Sequence, residues 1–172
     1  AKQFAAKGHD LVLVARSGDV MEQLAADIRK DYDVAIAVIP CDLTTADAVT
    51  QIRTALDAQG IEIEYLVNNA GVANFGQFDD RSTDDLHVMV KLNVDALFRL
   101  THAFLPEFAA KGTGGVLNVA SVAGLIPTPG YAVYGATKAF VVSLTESLSE
   151  EMRPKGVKVV ALCPGLVDTP LV

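Results

Sequence analysis

Apolar residues follow two different patterns along this chain. Short runs that are almost wholly apolar predict strands that are buried on both faces of a sheet. Longer segments in which apolar residues recur every three or four positions predict amphipathic helices. Strands are predicted at residues 11–15, 34–41, 65–68, 116–120 and 157–163. Helices are predicted at residues 18–32, 46–59, 83–110 and 131–153, and residues 1–8 have the pattern of the last turns of a helix that ends at a glycine.

The order of these elements predicts the fold class. Strands that alternate with helices form βαβ units, and these build a doubly wound parallel sheet of α/β type with helices on both faces. The 172 residues contain no linker or repeat, so we predict a single domain over residues 1–172. In the helix at 18–32, Val20, Leu24 and Ile28 are predicted to form the buried face. Ligands of such open sheets bind outside the carboxyl ends of the strands.

Composition excludes several classes of function. Hydrophobic residues make up 51% and charged residues 20% of the chain, as in ordinary globular proteins. The net charge of −7 argues against binding to nucleic acid, which needs clustered Lys and Arg. No apolar run reaches the roughly 18 residues that span a bilayer. Cys41 and Cys163 each end an apolar run and form no C-x-x-C pair, so we predict buried thiols in a reducing cytoplasm; we predict no metal site.

Tyr134 and Lys138 are the first candidates for chemistry. They are four residues apart in a predicted helix, so both side chains lie on the same helix face. A phenol is a poor acid or base near neutral pH, and a nearby ammonium group stabilises the phenolate form. Tyr131 has Gly135 at the corresponding position and therefore lacks such a partner. We predict that Tyr134 transfers protons and that Lys138 activates it; a surface Tyr and Lys are the alternative interpretation of this common spacing.

Ser121 strengthens that interpretation. It ends a predicted buried strand 13 residues before Tyr134, so the turn into the next helix can bring its hydroxyl beside the phenol. There it can hydrogen-bond a carbonyl oxygen on which negative charge develops. A serine hydrolase is disfavoured, because residues 119–123 read V-A-S-V-A rather than G-x-S-x-G and all three histidines precede Ser121.

Asparagine and glycine residues mark two further positions. Residues 68–71, N-N-A-G, end the third predicted strand, and the glycine lets the backbone approach a flat ligand closely. Asn93 is polar within an otherwise apolar helical run. A buried asparagine needs hydrogen-bond partners, so Asn93 is either a structural hub or a catalytic residue, and the residues alone favour the structural role.

Together these motifs resemble the short-chain dehydrogenases/reductases. The resemblance rests on N-N-A-G, a helix asparagine, a serine at a strand end, Y-x-x-x-K, and a later strand that ends in Pro164-Gly165. It runs along essentially the whole chain and implies a Rossmann-like fold with NADP(H) or NAD(H) as cofactor. It implies a catalytic tetrad in which Tyr134 is the general acid/base, Lys138 activates it and holds the nicotinamide ribose, Ser121 orients the substrate oxygen and Asn93 supports a proton relay through water.

The resemblance also implies a set of cofactor contacts. The residues expected to line the cofactor are Asp42 and Leu43 at the adenine, then Asn69, Ala70, Gly71, Tyr134, Lys138, Pro164 and Gly165, and Val167 and Thr169 at the nicotinamide amide and phosphates. Arg16 indicates which cofactor is used. NAD-binding folds of this type have a carboxylate at the corresponding strand end, whereas a guanidinium can pair with the 2′-phosphate of NADP. We therefore predict NADP(H) rather than NAD(H), although the nearby Asp19 argues for the latter.

Parts of the family pattern lie outside this sequence. The glycine-rich phosphate loop precedes the first helix, and the chain begins within that helix. In the strand order 3-2-1-4-5-6, the missing first strand belongs between the strands at 11–15 and 65–68. Its loss leaves buried backbone groups unpaired, at roughly 1–3 kcal/mol each. We therefore expect this sequence to be part of a longer protein, whose C-terminal substrate lid and final strand also lie outside it.

The remaining expectations concern substrate and partners. The segment 122–131 contains Leu125, Ile126, Pro127 and Pro129, which indicates a mostly apolar carbonyl or alcohol substrate. The helices at 83–110 and 131–153 are apolar on more than one face, which predicts a homodimer or homotetramer formed through them. A non-catalytic dinucleotide-binding regulator is the main alternative function, although such proteins usually lose the Tyr or the Lys. An epimerase or dehydratase of the longer branch shares Y-x-x-x-K, but residues 68–71 and Asn93 favour the compact reductase branch.

Overall fold

The structure is a computed structural model that describes residues 1–165. Two compact units divide it, an N-terminal unit over Ala1–Ile61 and a C-terminal unit that begins at Glu62. All strand pairs in both units are parallel, and strands alternate with helices along the chain. The predicted α/β class is therefore confirmed. In the described part of the chain, no helix combines the length and the hydropathy that crossing a membrane requires.

The N-terminal unit is a two-stranded sheet with helices. Its elements are α1 (Lys2–Ala5), β1 (Leu11–Ala15), α2 (Gly18–Asp31), β2 (Ile36–Pro40) and α3 (Ala48–Gln59). Strands β1 and β2 pair in parallel from Leu11↔Ile36 to Ala15↔Pro40, so both end at the same edge. Helix α2 packs against both strands.

The buried face of α2 differs from the predicted one. Met21, Ala25 and Ile28 are buried, whereas Val20 is 66% and Leu24 37% exposed. Ile28 lies on both the predicted and the observed buried face. The other residues that face the strands include the small Ala25 rather than Leu24. A small residue lets the helix approach the sheet closely, and hydrophobicity alone does not reveal that preference. Strand β1 is also only partly buried, rather than fully buried as its apolar run predicts.

The C-terminal unit contains a three-stranded parallel sheet in the order β3-β4-β5. Its elements are β3 (Tyr65–Asn68), α4 (Thr83–Val90), a π-helix (Lys91–Ala96), α5 (Leu97–Lys111), β4 (Gly115–Val119), a 3-10 turn (Val122–Gly124), α6 (Ala132–Met152), a second 3-10 turn (Arg153–Lys155) and β5 (Lys158–Leu162). The predicted helix at 83–110 is thus one continuous helical stretch that is interrupted by a wider π turn around Asn93.

Helices α5 and α6 lie on the same face of this sheet. Asn68 and Asn118 are in register on β3 and β4, and their side chains hydrogen-bond to each other. Asn68 also bonds Thr101 of α5, and Asn118 bonds Thr145 of α6. The alternate strand positions, which point to the other face, are exposed; they include Tyr65, Val67, Val160 and Leu162. The catalytic candidates of this unit lie at the carboxyl edge of the helix-covered sheet.

Candidate active site

The turn after β4 holds Ser121 against the neighbouring strand. Ser121 is 8% exposed, and its Oγ accepts a hydrogen bond of 3.2 Å from the Ala123 N–H. This bond caps the 3-10 turn that follows. The Val122 N–H donates to the carbonyl oxygen of Pro164 at 3.1 Å, so the turn after β4 is tied to the segment after β5. Of the predicted Pro164-Gly165 motif, Pro164 therefore lies beside the serine turn.

Gly124 brings this turn into contact with α6. A Cβ atom built on Gly124 would lie 2.6 Å from the carbonyl carbon of Lys138 and 2.7 Å from its carbonyl oxygen. Only a residue without a side chain permits this approach of one backbone to another. Ser121 and Lys138 are thereby held on two segments in direct contact. The sequence pattern did not identify Gly124 as important. The feature that could have identified it is a glycine three residues after the serine at the end of the strand.

Lys138 is a buried cation beside the Tyr134 ring. Lys138 is 5% exposed, and its Nζ lies 5.7 Å from the centre of the Tyr134 ring. The ammonium donates a hydrogen bond of 2.7 Å to the carbonyl oxygen of Val119, the last residue of β4. Burial lowers the pKa of Lys138 from its usual value, because desolvation disfavours the charged form. The four-residue spacing thus brings Tyr134 and Lys138 together, and Val119 holds the ammonium.

Asn93 joins three segments of the unit. It is 1% exposed and lies in the π-helix, a feature that is frequent at functional sites. Its Oδ1 accepts from the Val72 N–H at 2.9 Å, and its Nδ2 donates to the Val72 carbonyl oxygen at 2.9 Å. Nδ2 also donates to the hydroxyl of Thr137 at 3.2 Å, and that hydroxyl donates to the carbonyl oxygen of Tyr134 at 2.7 Å. The amide of Asn93 therefore positions both the N-N-A-G segment and the Tyr134 turn.

Thr137 is a positioning residue that the sequence interpretation did not include. It is 3% exposed and lies between Tyr134 and Lys138 in the chain. Its hydroxyl is the link between Asn93 and α6. A threonine in a helix commonly bonds the carbonyl three or four residues earlier, so the bond to Tyr134 was foreseeable, whereas the bond to Asn93 depends on tertiary packing.

Gly71 lies next to two members of the predicted tetrad. A Cβ atom at this position would be 3.2 Å from Oδ1 of Asn93 and 3.5 Å from Nζ of Lys138. Asn69 and Ala70, which precede it at the end of β3, are exposed. The exposed backbone at Asn69 and Ala70 and the glycine beside the buried ammonium therefore allow a polar ligand to approach this edge closely.

The N-terminal unit contains its own group of predicted cofactor residues. Arg16 is exposed directly after β1, and Asp42 follows β2 at the same edge. The Thr44 N–H at 2.9 Å and the Thr44 hydroxyl at 2.7 Å hold the pKa of the Asp42 carboxyl below its usual value, and the charge of Arg16 lowers it further. Leu43 is buried and cannot offer its side chain to a ligand. Val167 and Thr169 lie outside the described residues.

A buried polar network crosses the sheet below the site. Asn68 Nδ2 donates to Asn118 Oδ1 at 2.8 Å and to the Thr101 hydroxyl at 3.0 Å. Asn118 Nδ2 donates to the Thr145 hydroxyl at 2.9 Å, and that hydroxyl donates to the Val141 carbonyl oxygen. In the described part of the chain, every buried side-chain N or O atom has a partner. Of these residues, sequence reasoning included only Asn68.

Comparison with known proteins identifies the family. The family described as short chain dehydrogenase matches residues 1–172. The chain belongs to this family. Oxidoreductase UcpA of Escherichia coli K12 is 36% identical over 172 residues, which cover 99% of this chain and 65% of UcpA. The chain thus spans about two thirds of the length of this relative.

Two solved structures are similar in both fold and sequence. A short-chain dehydrogenase from Sphingobium yanoikuyae in complex with NADPH has a TM-score of 0.92 and 38% identity, over 99% of this chain and 66% of that one. A bulky-bulky ketone specific alcohol dehydrogenase from Comamonas testosteroni has a TM-score of 0.90 and 38% identity, over 99% and 68%. These matches confirm the predicted Rossmann-like fold and the family resemblance.

Proposed function

We propose that the protein is an NADP(H)-dependent oxidoreductase that interconverts a carbonyl compound and a secondary alcohol. The observation that carries the proposal is the buried Lys138 ammonium, 5.7 Å from the Tyr134 ring and fixed by Val119. A buried cation that meets a carbonyl and no carboxylate among residues 1–165 is costly to maintain and is therefore a mark of a functional site. Here it lies next to a group that can give or take a proton.

When bound, the nicotinamide cofactor would supply or accept the hydride. The chain's own residues handle the proton and the substrate oxygen. In reduction, Tyr134 donates its hydroxyl proton to the carbonyl oxygen, and the Lys138 ammonium stabilises the phenolate that remains. Ser121 donates a hydrogen bond to the same oxygen as negative charge develops on it. Asn93, whose side chain holds Val72 and Thr137, positions the Tyr134 turn and supports the proposed proton relay.

The residues at the carboxyl ends of the strands fit a nicotinamide dinucleotide. In the C-terminal unit, we assign Asn69, Ala70 and Gly71 to the nicotinamide side, with Lys138 at the ribose. Pro164 and Gly165 complete this group, and Val167 and Thr169 are proposed to follow them. In the N-terminal unit, Arg16, Asp42 and the backbone of Leu43 are assigned to the adenosine end. The NADPH complex of the Sphingobium yanoikuyae protein supports this assignment.

The decisive test compares two tyrosines in the full-length protein. Tyr134→Phe is expected to reduce kcat by at least about 100-fold, the usual contribution of a positioned general acid, while NADPH still binds. Tyr131→Phe is the matched control, because Tyr131 contacts Phe75 and the Tyr134 ring but has no lysine four residues later. Unchanged turnover in Tyr134→Phe would contradict the proposed mechanism. The same variant separates an enzyme from a non-catalytic dinucleotide-binding regulator, which has no turnover to lose.

Arg16 carries the proposed preference for NADP(H) over NAD(H). An exposed guanidinium can form two hydrogen bonds with a 2′-phosphate, and NAD(H) lacks that group. Arg16→Ala should therefore raise the KM for NADPH and leave the KM for NADH nearly unchanged. A wild-type protein with higher kcat/KM for NADH would refute the assignment.

The wider context of the enzyme is also proposed. Exposed apolar residues in segment 122–131, with Leu125 at 58% and Ile126 at 63%, support an apolar substrate, as does the bulky ketone named for the Comamonas testosteroni relative.

Exposed Phe98 and Phe140 on α5 and α6 support a homodimer or homotetramer. Cys41 is buried as predicted, whereas Cys163 is only partly buried. Both thiols are free, which supports a cytoplasmic location. The unbroken family match supports one dinucleotide-binding and catalytic domain over residues 1–172.

A further inference from the structure

A cleft beside Tyr134 contains a cation that the proposed reaction does not use. The cleft lies within the C-terminal unit, and its walls include Phe78, Leu86, Met89 and Val133, together with Tyr134 itself. Met89 is 1% exposed, so the apolar surface next to the proposed general acid is formed by Phe78, Leu86 and Val133. Arg81 is the one charged residue among those that line the cleft.

Arg81 has no anionic partner within residues 1–165. It is half-buried, and none of the ion pairs or hydrogen bonds in this part of the chain involves its side chain. Four aspartates are close to it in sequence, but all four are exposed and none pairs with it; they are Asp79, Asp80, Asp84 and Asp85. A guanidinium that is partly removed from water gains most from an anion that can enter the cleft.

The backbone fixes the position of this guanidinium. A Cβ atom on Gly76 would lie 2.5 Å from Nε and 2.9 Å from Nη2 of Arg81, so the side chain packs directly on the Gly76 backbone. The Gly76 N–H donates to the Gly130 carbonyl oxygen at 2.9 Å, just before α6. At Gly130, where φ is +81°, the Phe75 ring occupies the place of a side chain. Arg81 is thus held by a loop that is anchored to the start of the Tyr134 helix.

We propose that Arg81 binds an anionic group, such as a carboxylate, on the substrate of this site. The substrate then has an apolar body against Phe78, Leu86 and Val133, a carbonyl group at Tyr134 and an anion at Arg81. A guanidinium pairs with a carboxylate through two parallel hydrogen bonds, so it selects orientation as well as charge. The inference rests on the proposed carbonyl reduction and names its substrate class.

The test uses matched acids and esters with the full-length protein and NADPH. The probes are levulinate, 5-oxohexanoate, 6-oxoheptanoate and 4-acetylbenzoate, each with its methyl ester. The ratio of kcat/KM for acid over ester measures recognition of the charge at each distance from the carbonyl. We expect at least one acid to be preferred over its ester. Arg81→Gln should lower that ratio by about 10- to 100-fold, the size of a charged hydrogen bond, and Arg81→Lys should restore part of it.

Two further variants make the test specific. Gly76→Ala should lower the ratio as Arg81→Gln does, because the new methyl group displaces the guanidinium. Arg153→Gln removes an exposed arginine that pairs with Glu150 and should leave the ratio unchanged. A rise in the KM for NADPH, with the acid-to-ester ratio unaltered, would instead assign Arg81 to the cofactor and overturn the proposal.

Calorimetric titration of the NADPH complex with 4-acetylbenzoate and its ester gives a readout that is independent of turnover. Selective loss of acid binding in Arg81→Gln supports the inference even where Tyr134→Phe retains activity and the proposed chemistry fails. Acids that neither bind nor react, or an acid preference that survives Arg81→Gln, overturn the inference while leaving the role of Tyr134 intact.

Discussion

Lys138 combines two properties that oppose each other in a folded protein. Its ammonium is almost fully buried, and its hydrogen-bond partner is the neutral Val119 carbonyl rather than a carboxylate. The desolvation that lowers its pKa also reduces the stability of the folded state, because the charged form would be better solvated after unfolding. Such a cost is tolerated at a site where a cation is needed for chemistry.

The pH dependence of stability should reveal this cost. The folded pKa of Lys138 lies below the unfolded value of 10.5, so the unfolded state binds more protons between the two values. The free energy of unfolding therefore increases as pH rises through that window. Below the window Lys138 is protonated in both states, and the full desolvation penalty remains. Lys138→Met lacks the group. The free energy of unfolding of the wild type, relative to Lys138→Met, should increase as pH approaches 10.5.

Urea unfolding of both proteins over a pH series measures this difference. Titrating groups distant from Lys138 cancel between them, and a Tyr134→Phe background in both proteins removes the neighbouring phenol. A difference that stays constant with pH, or that falls as pH rises, would contradict the buried-cation interpretation. The single Lys138→Met variant should also lose turnover, because the Tyr134 phenolate then has no neighbouring cation.

The role of a single residue could be predicted from the sequence where its partner is only a few positions away in the same helix. Tyr134 and Lys138 are four positions apart, so helix geometry alone brings them together. The roles of Thr137 and Asn118 were not predictable, because their partners Asn93 and Thr145 are 44 and 27 residues away in the chain. Asn118 stands between Leu117 and Val119 in an apolar strand, and that interruption was the available signal.

At the scale of elements, the proposed active site depends on the contact between the 3-10 turn after β4 and helix α6. Strand β4 brings Ser121 and the Val119 carbonyl to this edge, and α6 brings Tyr134 and Lys138. The strand positions were predicted to within a residue or two from their apolar runs. The close contact between the turn and the helix was not predicted from the sequence, because it depends on the absence of a side chain at Gly124 rather than on hydrophobicity.

Gly124→Ala should separate the two elements. Its methyl group would lie 2.6 Å from the Lys138 carbonyl carbon, and a backbone atom in the middle of a helix cannot move aside independently. Overpacking of this kind costs about 1–3 kcal/mol of stability. We expect a loss of that size in urea unfolding and a fall in kcat larger than the rise in the KM for NADPH, because Ser121 moves relative to Tyr134.

Gly165→Ala is the control for stability alone, since a Cβ atom there meets no atom within 4 Å among the described residues. Its kinetics are not compared, because Gly165 belongs to the proposed cofactor group. A Gly124→Ala protein with wild-type stability and kcat would show that turn and helix can separate without consequence, contrary to the proposed arrangement.

At the scale of the whole molecule, the C-terminal unit exposes apolar side chains on the two long helical stretches that also carry Asn93 and the Tyr134–Lys138 pair. Val88 on α4 is 52%, Phe98 on α5 is 45% and Phe140 on α6 is 40% exposed. The sequence predicted excess apolar surface on these helices, but it could not distinguish residues that face the sheet from those that face outward. Val141 and Phe140 are adjacent in the chain, and only Val141 is buried.

Phe98→Glu tests whether these exposed side chains mediate self-association. A charge placed in an apolar interface must be desolvated without a partner, which opposes assembly far more than it affects the protomer. Light scattering should therefore give a dimer or tetramer for the full-length wild type and a smaller species for Phe98→Glu. Val20→Glu is the control, because Val20 is a 66% exposed apolar residue on α2 outside these helices, and the mass of this variant should match the wild type. A monomeric wild type, or a Phe98→Glu protein of unchanged mass, would contradict self-association through these side chains.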